Sequence, residues 1–157
     1  MILMLITSFL FVSCASKQTM LLEQTKITSP PKLLFLNYNI TKNSDGKKAI
    51  QFINKIITDG KLKTIANSNY EKNYGDLECA ELDENLNTIE RIHIKDPLVK
   101  IFEYVNDFDT FETKMIEVDS SQFSVRLQLH ENTKFIAINE ITNSDKENKT
   151  LIITKLN

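Results

Sequence analysis

From Lys32 onward the chain repeats one rhythm: short runs in which apolar and polar residues alternate, broken roughly every ten residues by Asn, Asp, Ser or Gly. Successive side chains of an extended strand point to opposite faces, so such alternation builds strands with one face in a core and one in water. Leu34, Leu36, Tyr38 and Ile40 share one face of the first run. Ile92 pairs with Ile94 in the same way, and Phe123 with Val125, Leu127 and Leu129, while the reverse faces carry Arg91, His93, Lys95, and Arg126, Gln128, His130. Further runs cover Lys61–Ile65, Asp76–Leu82, Thr88–Lys95, Leu98–Asn106, Thr110–Asp119, Gln122–His130, Lys134–Ile141 and Lys149–Lys155. Asn43-Ser44-Asp45-Gly46, Asp83-Glu84-Asn85, Asn106-Asp107 and Asn143-Ser144-Asp145 are among the turns between them, built from residues that bond to their own backbone.

This pattern predicts a mainly β fold, an antiparallel two-sheet β-sandwich, with an immunoglobulin-like arrangement as one form it takes. The ambiguous stretch is 47–58. Ala49, Phe52, Ile53, Ile56 and Ile57 lie at helical spacing, yet the Ile content and the Asp-Gly turns on either side suit a strand. Context favours the strand, so the fold holds at most one short helix, at 47–58.

Composition narrows the function classes. Nineteen Lys and Arg against 21 Asp and Glu leave a formal charge of −2, which removes the basic surface of a general nucleic-acid binder. With 41% apolar and 25% charged residues the chain is an ordinary folded one. Three glycines exclude a phosphate loop or a dinucleotide fingerprint, and two cysteines exclude a disulfide scaffold.

The first residues read differently from the rest. Ile2–Val12 is an almost unbroken apolar run ending at Ser13-Cys14-Ala15-Ser16. It is too short for a bilayer span, which takes about 20 residues. The residues alone fit a cleaved secretory signal or a buried terminal helix. With Phe11-Val12-Ser13-Cys14 in the place of a lipobox, the segment resembles the bacterial lipoprotein precursors. That resemblance implies cleavage before Cys14 and lipidation of its sulfur, hence residues 1–13 as signal peptide, 14–31 as lipidated Cys and tether, and 32–157 as one β-rich domain. It also implies an outer-membrane anchor facing the periplasm. Cys79 is then left without an intramolecular partner and is expected to be an inert, half-buried strand residue.

The search for chemistry finds little. His93 and His130 fall on the polar sides of their strands, as solvated histidines, and no His-x-His or Cys-x-x-Cys spacing makes a metal site. Two acidic groups, Glu78, Glu81, Asp83, Glu84 and Asp107, Asp109, Glu112, lack calcium-loop spacing and read as solvated hairpin ends. No catalytic residue, metal or cofactor is therefore expected. Phe102, Tyr104, Phe108 and Phe111 gather around one hairpin. They either fold back over the open end of the core or stand out as an interaction surface, for which Phe108, Phe111 and Tyr104 are the candidates.

The reading that follows is a non-catalytic binding or assembly module, tethered to a membrane through its N-terminal lipid and meeting an envelope protein partner. Two alternatives are a lipocalin-like barrel carrying an apolar ligand, and, behind it, a hydrolase using His93 or His130 beside a carboxylate.

Overall fold

The alternating runs become nine strands: β1 (Lys32–Lys42), β2 (Lys48–Asp59), β3 (Leu77–Leu82), β4 (Thr88–Ile94), β5 (Val99–Val105), β6 (Phe111–Glu117), β7 (Ser120–Leu129), β8 (Phe135–Glu140) and β9 (Lys149–Lys155). A computed structural model describes residues 30–63, 72–142 and 148–156. The anchor segment with Cys14 lies outside them, as does the end of the run expected over Lys61–Ile65, whose residues 61–63 are not strand. Among the described residues there is no helix, so none is long and apolar enough to cross a membrane.

All pairings are antiparallel and give three sheets, ordered β2-β1-β7, β4-β3-β8-β9 and β5-β6. The first two face each other and close one core. Leu34, Leu36, Tyr38 and Ile40 from β1 meet Leu77 and Cys79 from β3, Ile136 and Ile138 from β8, and Val125 and Leu127 from β7. Tyr38 sits at the centre, stacked on Phe123 at 5.5 Å between ring centroids and edge-on to Phe52 at 5.8 Å. Its hydroxyl meets Thr154 Oγ1 of the opposite sheet at 3.1 Å, which satisfies the one polar atom this ring brings inside. In the three-stranded sheet the first strand of the chain lies at the centre, unlike the edge position of the first strand in an immunoglobulin sandwich.

β2 shows why 47–58 reads two ways. Phe52 lies opposite Tyr38 and Lys55 opposite Leu36, so Ile53 is an extra residue, a β-bulge. The core-side positions therefore run 50, 52, then 55 and 57, while Ala49 and Ile56 lie on the outer side and Ile53 in the bulge, so apolar residues on both faces give the helical spacing of Ala49, Phe52, Ile53, Ile56 and Ile57. On β8, apolar residues occupy both faces for a different reason. Ile136 and Ile138 enter the main core, while Ala137 packs with Ala80, Leu82 and Phe135 on the outer side.

Three turns share one geometry. In 43–47, 83–87 and 106–110 the first side chain (Asn43, Asp83, Asn106) accepts the N–H groups of the third and fifth residues. The fourth residue is left-handed in each: Gly46 (φ 77°), Leu86 (φ 64°) and Asp109 (φ 56°). Asp45-Gly46 thus belongs to a five-residue turn rather than to a two-residue one.

Candidate functional site

β5 and β6 pair only with each other among the described strands, and their hairpin joins the body at its base. There Leu98 is buried in the core and its carbonyl accepts Val118 N–H, Lys100 Nζ donates to Ser121 Oγ at 2.7 Å, and Glu117 forms an ion pair with Lys42. Beyond the base the register sets the faces. Val99 lies opposite Glu117, Ile101 opposite Met115 and Val105 opposite Phe111, so one face carries five exposed apolar side chains. Met115 is 72% exposed and Phe111 82%. The reverse face alternates Phe102, Tyr104 and Ile116 with Lys100, Lys114 and Glu112, and Tyr104 Oη donates to Glu112 Oε2 at 2.6 Å. That bond holds the Glu112 carboxyl below its ordinary pKa, with Asn106 Nδ2 assisting.

Phe108, in the tip turn, is 85% exposed. The aromatic residues do not fold back over the end of the core. Asn106 fixes the turn by accepting the N–H groups of Phe108 and Thr110, so the Phe108 backbone is held while its ring stands in water. Phe108 and Phe111 belong to the tip, whereas Tyr104 lies on the face opposite Phe111. Val99, Ile101, Val105 and Met115 complete the apolar face without having been singled out from the sequence. Their alternation is visible there, but the same pattern marks a core strand, and only the lack, among the described residues, of a layer packed against it makes it an exposed face.

His93 is not solvated, which corrects the expectation from alternation, whereas His130 is exposed but ion-paired. His93 is mostly buried, its Nε2 at 2.8 Å from Asp76 Oδ2. Asp76 also accepts Asn73 N–H and Asp96 N–H. Burial pushes its pKa up, but these bonds and His93 outweigh burial and hold it below the ordinary carboxylate value. Beside it the buried Lys48 Nζ donates to Gly75 carbonyl and to Asp96 Oδ2, both at 2.6 Å, with Glu140 Oε1 at 3.5 Å. This network ties the loops before β3 and β5 together.

His130, just past β7, places Nδ1 3.1 Å from Glu81 Oε2 and 3.7 Å from Glu90 Oε2. Glu78 and Glu81 are buried, not part of a solvated hairpin end. Glu78 is met by Arg91 at 3.2 Å and Lys72 at 3.5 Å. The two histidines thus attend different carboxylates. Cys79 is fully buried rather than half-buried, and burial together with the charges of Glu81 and Glu78 pushes its thiol up to about 12, which makes it inert.

Two open clefts, of about 290 and 310 Å³, lie on the surface; the first is lined by Asn37, Asn54 and Phe123 among others, the second by Pro31, Leu129 and His130 among others. No protein-family model, no curated protein and no solved structure matches this chain.

Proposed function

We propose that the chain is a lipid-anchored protein of the bacterial envelope whose β-sandwich works as a non-catalytic binding module, with the β5–β6 hairpin as its contact surface. The observation that carries this reading is the exposed apolar face of Val99, Ile101, Val105, Phe111 and Met115, with Phe108 beyond it. The set falls into two parts, Val99, Ile101 and Met115 near the base and Val105 and Phe111 near the tip, separated by the Glu103–Thr113 pair. Leaving it in water forgoes roughly 1.5–3 kcal/mol for each large side chain left uncovered, and large exposed apolar patches on monomeric proteins often mark interaction sites. No other described strand pairs with the outer edges of the hairpin, which offers their backbone groups to a partner strand.

A filled two-sheet core and open surface clefts favour a binding module over a carrier, which needs an enclosed apolar cavity. Lipidation at Cys14 supplies the tether. A second acyl chain makes membrane dissociation negligible, at about 0.8 kcal/mol per buried methylene.

The test is a photo-crosslinking amino acid placed at Phe108 and, separately, at Glu84 on the exposed 83–87 turn, in the full-length chain in intact cells. A discrete envelope-protein adduct from position 108 and none from 84 supports the reading. Equal, diffuse labelling from both positions contradicts it.

A further inference from the structure

The geometry points to a divalent-cation site of the zinc class, held by Glu81 Oε, Glu90 Oε2 and His130 Nδ1 at the end of the sandwich. One ligand atom from each of these residues can be chosen so that all three lie within 4.8 Å of one another. One observation beyond the clustering itself calls for a cation there, and the pairing of the two carboxylates adds to it. The Glu81 side chain is only 3% exposed; its Oε2 is met by Thr133 Oγ1 and His130, while its Oε1, the other oxygen of the same carboxylate, has no hydrogen-bond partner among the described residues. A buried carboxylate oxygen left unpaired loses the solvation it had in water, and a bound cation restores it. Register brings the two carboxylates together. Glu81 and Glu90 are directly opposite on β3 and β4 and share the core-side face, next to the Cys79–Ile92 pair. Like charges in that position repel unless something positive lies between them. Among the described residues the ion-pairing group there is His130, which is cationic only when protonated.

The distances suit the ion. Zinc bonds of about 2.0–2.2 Å in tetrahedral geometry separate neighbouring ligand atoms by roughly 3.4 Å. His130 Nδ1 stands 3.1 Å from one carboxylate oxygen and 3.7 Å from the other, on either side of that value. One imidazole nitrogen with two carboxylates is a donor set for zinc and its first-row neighbours, whereas calcium takes six to eight oxygens. Supporting contacts are built in: Thr133 Oγ1 donates to Glu81 Oε2 at 2.5 Å, and the His130 N–H reaches the same oxygen at 3.4 Å. Such contacts orient a ligand before the ion arrives. Three protein ligands leave the fourth position free, and His130 also lines the 310 Å³ cleft. Sequence spacing hid the set because its members come from three different elements. The site is independent of the hairpin and of the anchor.

The test is calorimetric titration of Zn²⁺ into the full-length chain in detergent, alongside Glu90→Gln and His130→Ala. Both residues are half exposed, so the fold survives their replacement. One equivalent should bind, and each substitution should weaken it at least tenfold. In the wild-type chain, long-range ¹H–¹⁵N spectra should show Zn²⁺ moving the ring nitrogens of His130 and leaving those of His93 in place. Absence of saturable binding, binding unmoved by both substitutions, or an unshifted His130 overturns the site.

Discussion

Asn43, Asp83 and Asn106 do the same work in three places, each accepting two backbone N–H groups across a five-residue turn. The price of that turn is a left-handed fourth residue, tolerated by Gly46 and Asp109 but costing Leu86 roughly 1–2 kcal/mol. Leu86 is exposed, so little packing offsets the cost. Leu86→Gly should therefore raise stability by about 0.5–1 kcal/mol once the extra entropy of glycine is deducted, read from the urea midpoint. An unchanged or lower midpoint would contradict the turn geometry. Asp76 gives a pH prediction. Its folded pKa lies below the unfolded value of 3.8, so its ionised form contributes stability that is complete above that pH and lost as pH falls through the folded value. Asp76→Asn should flatten the acid limb of stability against pH below about 4, and an acid limb parallel to wild type would refute the role. The sequence made the turn residues legible, because Asn and Asp bond locally wherever they stand. It hid the burial of Glu78, Glu81 and His93, since polar residues at the end of a strand look solvated until loops close over them.

At the scale of elements, β1 was readable to the residue, its four core side chains alternating without interruption. β2 was ambiguous because apolar residues occupy both of its faces, with Ala49 and Ile56 outside, Ile50, Phe52 and Ile57 on the core side and Ile53 in a bulge, and only pairing with β1 sorts them. The β5–β6 hairpin was legible as two strands but not as an exposed sheet, since alternation reports a face and not what covers it. That exposure yields a prediction at this scale. Replacing Phe108 and Phe111 together by Glu should change stability by no more than about 0.5 kcal/mol, as surface substitutions do, while partner crosslinking falls. A loss of several kcal/mol would show that the aromatics support the core. Lys48 behaves in the opposite way. Its replacement by Met leaves Asp96 largely buried without its cation, and Glu140 with only Lys149 at 3.8 Å, and should cost about 3–5 kcal/mol in urea unfolding.

For the whole molecule, two sheets share one filled core, and what distinguishes its surface is gathered at the hairpin and at the carboxylate–histidine cluster. The mainly β sandwich was legible because period-two alternation survives through nearly every strand. The cation cluster was not, because three-dimensional convergence of β3, β4 and the end of β7 leaves no trace in spacing. The functional account joins this body to a membrane through Cys14, and fractionation tests that link most directly. Cells expressing the full-length chain or its Cys14→Ala variant are labelled with radioactive palmitate and separated into membrane and soluble fractions. The account predicts labelled wild-type protein in the membrane fraction and unlabelled variant in the soluble one; label and membrane partitioning that are the same for both chains would contradict it.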